Sequence, residues 1–333
     1  MADTIYKDAL TRPHYGGALS QDDIHLEIYQ NEVDSRFQYQ AIFLGLSSQR
    51  SVADRSNTIR IDRLGTSKVK GRQSGQALEP TPVRNDKLVI TVDTVLYIRN
   101  PIDYQDDWTA PDFLSEMGQN NGSEFAETFD QAHIIQLIKG REWKAPEHLK
   151  PAFKDGVEIE VSIKPDAKTE AELEANGLML NEAHKEGINE LIKRKVPLMD
   201  MVTLVSPDVY SQILNNPKLM SREFGDTNLD GYKNRRVVVM NGIPIVECTE
   251  FPTGAITDHP LGAQFNVTAD EAKCQMITFS KSKTLVTVEA KPFTSRIWDD
   301  EREFCNVLDC YAMYTVGQRR PDTAVVTKIT EAA

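Results

Sequence analysis

Apolar positions along the chain follow two different spacings, one typical of strands and one typical of helices. The stretch KLVITVDTVLYI (87–98) is rich in β-branched and aromatic residues and predicts one strand or a pair of strands. Apolar residues recur at helical spacing between about 110 and 139, and Gly140 follows them as a stop signal. A second helical segment, about 169–195, begins with acidic and ends with basic residues, the order that the helix dipole favours.

The second half of the chain contains shorter elements. MVTLVS (201–206) predicts a strand, PDVYSQILNN (207–216) a helix that begins at a proline, and RRVVVMNGIPIVEC (235–248) a hairpin. Asn241-Gly242 in that hairpin is a favoured two-residue turn. Further strands are predicted at 284–290, 303–316 and 323–329. Helices and strands are mixed without regular βαβ alternation, which predicts the α+β class.

The helix predicted at 110–139 has two chemically different sides. Leu114, Phe125, Phe129 and Ala132 lie on one face at 100° per residue, and Asp112, Glu116, Glu127 and Asp130 lie on the opposite face. The region 101–138 contains eight acidic residues and no Lys or Arg. We therefore expect a buried apolar stripe and an exposed, unpaired acidic side.

Local signals also define how this helix begins and where it bends. Thr109 can cap it, Pro111 suits the first turn, and Asp112 completes a Thr-x-x-Asp box. Gly118 and the Asn-Asn-Gly-Ser run at 120–123 are poor helix formers, which predicts a bend or break there.

The stretch RLGTSKVKGRQSGQ (63–76) has three glycines and four cations and superficially resembles a phosphate-binding loop. Such a loop needs Gly-x-x-x-x-Gly-Lys-Ser/Thr, because its lysine contacts the outer phosphates and its hydroxyl holds Mg²⁺. Here Gly65 and Gly71 are six residues apart, and Arg72-Gln73 follows. Since the stretch lies between probable strands, it predicts a mobile basic tip on a long hairpin.

Other candidate chemistry is weak. DTNLDG (226–231) matches the first half of a calcium loop, but its twelfth position is Val237 instead of Glu, which favours a polar surface turn. The six histidines form no metal-binding pair, and His133 is expected to be a packed residue. The cysteines, Cys248, Cys274, Cys305 and Cys310, form no Cys-x-x-Cys pair, so packed thiols are expected. The sequence predicts no enzyme, no cofactor and no metal site.

Composition excludes some classes of protein. The 333 residues are 40% hydrophobic and 26% charged, as in ordinary folded proteins, and no apolar run is long enough for a membrane span. The formal net charge of −12 argues against general nucleic-acid binding. The first residues lack the order of a signal peptide, so we expect a cytoplasmic product and no membrane partner.

The chain runs from a polar start through the basic hairpin, strands and the long helix to returning strands. Five stretches stand out in that order: FLGLSSQRSVADRSNTIRIDRLG (43–65), DKLVITVDTVLYIRNPIDYQDD (86–107), the helix 110–139, VPLMDMVTLVSPDVYSQIL (196–214) and NRRVVVMNGIPIVECTEFP (234–252). In these stretches and their order the sequence resembles the major capsid proteins of tailed bacteriophages, and its local sequence resembles the short-tailed (podovirus) type.

The resemblance implies the HK97-like phage capsid fold. The implied parts are an N-terminal arm (1–55), an extended loop (56–92), a peripheral domain (93–165) with its spine helix at 110–139, an axial domain (166–283) and return strands of the peripheral domain (284–333).

The implied function is structural: self-assembly into hexamers and pentamers of an icosahedral head around double-stranded DNA, without sequence-specific DNA binding. Implied partners are other copies of the chain, a scaffolding protein during assembly, the portal protein and, as a further candidate, decoration proteins. The implied location is the virion capsid, assembled in the bacterial cytoplasm. Alternatives are another ring-forming head or tail protein, or, from a different class, a cytoplasmic nucleotide-using enzyme.

The resemblance also gives the charge pattern a use, because an extended loop can lie over the next subunit. We expect cations of the hairpin to meet carboxylates of the neighbour's long helix. The expected inter-subunit contacts are Arg60, Arg63, Lys68, Lys70 and Arg72 on one side and Asp112, Glu116, Glu127 and Asp130 on the other.

Overall fold

The structure is a computed structural model. It describes residues 33, 35–37, 40–52, 56–104, 113–150, 152–165, 167–215, 237–300 and 302–332. The predicted helix start at Thr109, Pro111 and Asp112 and the turn at 226–231 lie outside the described residues.

Helices and strands are numbered in chain order. The helices are α1 Phe113–Lys139, α2 Glu170–Lys193 and α3 Pro207–Leu214. The strands of the first half are β1 Ser48–Ser51, β2 Thr58–Leu64, β3 Asn85–Thr91, β4 Leu96–Asp103 and β5 Val157–Ile163. The later strands are β6 Met201–Val205, β7 Val237–Met240, β8 Ile243–Glu247, β9 Cys274–Ser280, β10 Leu285–Asp300, β11 Cys305–Gln318 and β12 Ala324–Glu331.

A mixed six-stranded sheet is the largest sheet, with strand order β5-β12-β9-β6-β8-β7. β12 pairs parallel to β5 and antiparallel to β9, while β6 pairs antiparallel to β9 and parallel to β8. The antiparallel hairpin β7–β8 closes one edge through Asn241 and Gly242, whose φ angles of 54° and 82° suit the predicted Asn-Gly turn. Mixed pairing with helices outside any βαβ repeat confirms the α+β class.

Helices α2 and α3 cover one face of this sheet. Leu180 of α2 and Tyr210 of α3 pack in the same buried cluster as Met276 of β9. The opposite face of β9 carries Phe279, whose ring centroid lies 6.1 Å from that of Phe43. Phe43 in turn stacks on His133 of α1 at 4.7 Å, so the C-terminal part of α1 belongs to the layer on that face.

The chain divides into two compact units. The first comprises described residues within 1–41, 93–129 and 291–314, and the second those within 42–92, 130–290 and 315–333. In the first unit, Phe37 contacts Phe129 edge-on at 5.5 Å and stacks on Phe293 at 5.8 Å. The same unit contains the antiparallel pairing of β4 with β11, from Cys305 opposite Asp103 to Ala312 opposite Leu96, and Arg99 of β4 pairs with Asp309 of β11 at 2.6 Å.

Most elements predicted from the sequence are present with nearly the predicted bounds. KLVITVDTVLYI forms two strands, β3 and β4, and the second predicted helix is α2. The long helix has no break at the predicted place, because α1 runs without interruption through Gly118 and 120–123. Gly122 has a packing reason instead: a Cβ there would lie 2.7 Å from the carbonyl oxygen of Val33.

Within the described part of the chain, no helix combines the length and apolar character needed to cross a membrane.

Candidate subunit-contact site

The predicted hairpin is formed by β2 and β3, which pair antiparallel from Thr58 opposite Thr91 to Leu64 opposite Asn85. Side chains alternate between its two faces, as they must in a strand. Ile61 and Arg63 are 3% and 9% exposed, whereas Arg60 and Leu64 are exposed. One face of this stem therefore packs on its own subunit and the other faces outward.

Arg63 fastens the stem to the end of β11. Its Nη2 donates to the carbonyl oxygen of Gln318 at 2.7 Å, and its Nε donates to that of Arg319 at 3.1 Å. The guanidinium carbon also lies 5.5 Å from the centroid of the Trp143 ring. Burial lowers the pKa of Arg63, whereas the negative charges of Asp86 and Asp322 raise it. The side chain is thus a buried cation held by carbonyl oxygens and an aromatic ring.

A second contact at the base of the hairpin depends on the absence of a side chain. Ile90 of β3 is 8% exposed and lies against Gly317 of β11. A Cβ at position 317 would lie only 2.4 Å from the Ile90 Cδ1 atom. Ile90, near the base of the stem, and Arg63, near its tip end, together fix the stem against β11 and the residue after it.

The loop beyond the stem, residues 65–84, is called the hairpin tip here. Residues 66–80 are all exposed, and Gly75 has a φ of 91°, where glycine is favoured. Lys70 pairs with Glu79 at 3.1 Å across the tip, and Arg72 donates to the carbonyl oxygen of Gln76. Two of the predicted contact cations therefore already have partners inside the tip.

The prediction that the acidic side of α1 is exposed is wrong at Asp130. Asp130 is 1% exposed, and its two carboxylate oxygens accept the backbone N–H groups of Ile42 and Phe43 at 2.9 and 3.2 Å. Asp130 lies on the helix face opposite the predicted apolar stripe. It is buried nevertheless, because nearly every residue of α1 from 129 to 138 is buried. Glu116 and Glu127 are exposed as predicted, and Asp112 lies outside the described residues.

Only part of the predicted contact set is therefore available on the surface. Arg63 and Asp130 are both committed to backbone groups of their own chain, so their prediction as inter-subunit contacts is corrected. Arg60, Lys68, Lys70 and Arg72 are exposed on the hairpin. What sequence reasoning missed is the apolar part of the tip, above all Val69 and Leu78, which are 101% and 81% exposed. Their signal was the presence of large apolar side chains in an otherwise polar stretch.

The described histidines of α1 and α2 are packed. His133 is fully buried, and its Nε2 lies 2.7 Å from the Thr287 hydroxyl, which confirms its predicted structural place. His184 of α2 lies 2.8 Å through Nε2 from the Thr203 hydroxyl and 3.2 Å through Nδ1 from the Asn241 side-chain nitrogen. All four cysteines are buried thiols outside any disulfide, as predicted, and burial raises the pKa of Cys274 to about 12. Among described residues, no group of three or more His, Cys, Asp or Glu side chains could hold a metal.

The fold is similar to that of solved capsid structures. The chain of the bacteriophage PhiM1 mature capsid is 44% identical, with a TM-score of 0.75, and the similarity covers 89% of each chain. The capsid structure of cyanophage P-SCSP1u is 19% identical with a TM-score of 0.71, covering 88% of this chain and 89% of that one. A virus-like particle from Pyrococcus furiosus is 10% identical with a TM-score of 0.53, covering 91% and 98%. The sequence matches no protein-family model and no curated protein.

The two more distant similarities show the fold alone, and that fold is the HK97-like capsid fold. The similarity to the PhiM1 capsid chain also shows the family, because 44% identity over 89% of both chains indicates common ancestry. The chain belongs to the family of bacteriophage major capsid proteins. This family is structural, as the sequence predicted.

Proposed function

We propose that this chain is the subunit from which an icosahedral phage head is built, as hexamers and pentamers that enclose double-stranded DNA. The observation that carries the proposal is the 44% identity with the chain of the PhiM1 mature capsid, over 89% of each chain. The formal net charge of −12 supports enclosure without tight DNA binding, because phosphate contacts require positive surface.

Finer parts of the proposal rest on the sequence resemblance. The phage is of the short-tailed type, and the head assembles in the host cytoplasm with a scaffolding protein, the portal protein and decoration proteins as partners. The chain is organised as an arm (1–55), an extended loop (56–92), a peripheral domain (93–165 and 284–333) and an axial domain (166–283). The protein has no catalytic role and needs no cofactor.

The extended loop lies, on this proposal, over a neighbouring subunit. The support is that its stem is fixed to its own subunit by Arg63 and Ile90 while residues 66–80 are exposed. Twenty residues without a helix or strand are long for a loop in a compact protein, and loops of this length usually have a function. On the neighbouring subunit, the acidic residues proposed to face the extended loop are Asp112, Glu116 and Glu127.

Electron microscopy of the purified protein tests the proposed function. The protein would be examined alone and together with the scaffolding protein of its phage. Closed shells of uniform size are expected. Rings of one fixed symmetry would favour the alternative of a head-joining or tail protein, and dispersed monomers under all conditions would contradict the proposal.

A further inference from the structure

Val69 and Leu78 are among the most exposed large apolar side chains of the described chain, at 101% and 81%. We propose that these two side chains, rather than the cations beside them, provide most of the affinity of the hairpin tip for a neighbouring copy of this chain. The inference rests on the proposed function and specifies the chemistry of its main contact.

Val69 and Leu78 lie in the two arms of the tip, each next to a residue that contacts the other arm. Lys70 follows Val69 in one arm of the tip, and Glu79 follows Leu78 in the other. The Lys70 Nζ atom contacts a Glu79 carboxylate oxygen at 3.1 Å and donates to the carbonyl oxygen of Pro80 at 3.3 Å. This pair joins the two arms immediately beside Val69 and Leu78, so the two apolar side chains belong to neighbouring parts of one tip.

The cations of the tip are less suited to provide the affinity. Lys70 is paired with Glu79, and Arg72 donates to the Gln76 carbonyl oxygen. An exposed ion pair changes an association constant by about fivefold or less. Burying one fully exposed Val or Leu changes it by about tenfold to a hundredfold. Charges still favour the correct orientation and oppose incorrect partners.

A second copy is the occupant that best fits this surface. On the proposed function a shell is built from many copies of this chain, which is 44% identical to the chain of the PhiM1 mature capsid. The tip begins after Leu64, and ten extended residues can reach at most about 35 Å, enough to cross onto an adjacent subunit. Arg63 and Ile90 fix the stem from which it projects.

The experiment compares assembly thresholds of full-length variants. V69S/L78S is the test variant, and K68Q/R72Q is the matched control that removes two charges from the same tip. For each, the protein concentration at which shells appear is measured by sedimentation and electron microscopy at about 0.05 M and 0.5 M salt, a range over which the screening length falls about threefold. Circular dichroism checks that each subunit is folded.

The V69S/L78S threshold is expected to rise at least tenfold at both salt concentrations, and the K68Q/R72Q threshold by less than about fivefold. If the V69S/L78S threshold equals that of the wild-type chain, the inference is overturned while the proposed function stays intact. A tenfold rise of the wild-type threshold from low to high salt, together with a tenfold higher threshold of K68Q/R72Q already at low salt, would overturn it in favour of an ionic contact.

Two further outcomes are informative. If V69S/L78S assembles normally alone but no longer responds to the scaffolding protein, the tip binds that protein and the inference is wrong. If the wild-type chain forms no shells under any condition, the proposed function fails and the inference fails with it.

Discussion

Asp130 shows how a single carboxylate can organise a distant part of the chain. It sits in α1, yet it binds the backbone N–H groups of Ile42 and Phe43, 88 and 87 residues earlier. These bonds position Phe43, which is fully buried against His133 and Phe279. The contact therefore orders the segment that leads into β1 and the hairpin.

Replacing Asp130 with Asn is expected to lower the free energy of unfolding by about 1–3 kcal/mol. The amide keeps one acceptor but directs an NH₂ group at a backbone donor, so one buried N–H loses its partner. Chemical denaturation of the unassembled subunit measures the loss. Glu116→Gln, at an exposed site of the same helix, is the control and should change stability by no more than about 0.5 kcal/mol. Equal effects of the two substitutions would contradict the role given to Asp130.

His184 belongs to a buried chain of hydrogen bonds that links α2 to the sheet. The Asn241 side-chain nitrogen faces His184 Nδ1, which must therefore accept, and Nε2–H donates to the Thr203 hydroxyl. Thr203 continues to the Thr278 hydroxyl at 2.9 Å. Burial lowers the pKa of His184 to about 4, because a charged imidazole loses its hydration there.

The pH dependence of stability follows from that pKa. In the unfolded chain His184 takes up a proton below about pH 6.5, whereas in the folded chain it stays neutral until about pH 4. Its contribution is therefore fully present above pH 6.5 and is lost as pH falls to 4, a total of about 3 kcal/mol. Denaturation curves between pH 4 and 7 should show this slope, and His184→Gln should flatten it. An unchanged slope in His184→Gln would contradict the role given to this buried imidazole.

At the scale of elements, the hairpin combines a fixed stem with a free-standing tip. Two strands alone are marginally stable in water, so the stem needs its packed face. Arg63 donates to two carbonyl oxygens at the end of β11, and Ile90 occupies the space above Gly317. The direction in which the tip projects is thereby set within the subunit.

Arg63→Lys should loosen the stem, because one ammonium group cannot reproduce the two directed donors of the guanidinium. Hydrogen exchange of the amides in β2 and β3 should become about tenfold faster in the unassembled subunit. Arg60→Lys, on the exposed face of the same strand, should leave exchange unchanged. Unaltered exchange in both variants would show that the stem does not depend on Arg63.

Elements with local signals were predictable, and contacts over long sequence separation were not. The acidic first turn of α2, with Glu170 and Glu172, and the Asn241-Gly242 turn are each encoded by residues that are close together in the sequence. The burial of Asp130 and Arg63 depends on partners 87 to 256 residues away, and a helical face computed from one helix cannot include them. The exposed cations of the hairpin were predictable because a polar, Gly-rich loop offers few buried positions for charged side chains.

At the scale of the whole molecule, charge distribution matters more than any single ion pair. The chain has 38 basic and 50 acidic residues, and the hairpin tip is a basic segment within that acidic whole. Repeated around a closed ring, weak contacts between this tip and acidic neighbours would favour one orientation of subunits.

Reversing Lys68, Lys70 and Arg72 to Glu should impair shell assembly while leaving the subunit folded. The formal net charge would change from −12 to −18, since each reversal changes the charge by two, and the tip would be repelled by acidic neighbours. Electron microscopy would report shells, and circular dichroism the fold. The neutral variant with Gln at the same three positions should assemble far better than the reversed one, and about 0.5 M salt should partly rescue the latter. Normal particles from the reversed variant at low salt would contradict the proposal that charges of the tip favour one orientation of neighbouring subunits.

The position of β12 has a consequence for how the protein is made. β12 is the last strand of its sheet in chain order, yet it lies second in space, between β5 and β9. The parallel pairing with β5 joins residues about 168 positions apart, for example Val325 with Val157. While a ribosome is still synthesising the chain, β5 therefore has no neighbour and the sheet remains in two pieces. An incomplete polypeptide lacks the strand that joins them, so only a chain translated through β12 can present the finished surfaces on which a shell is built.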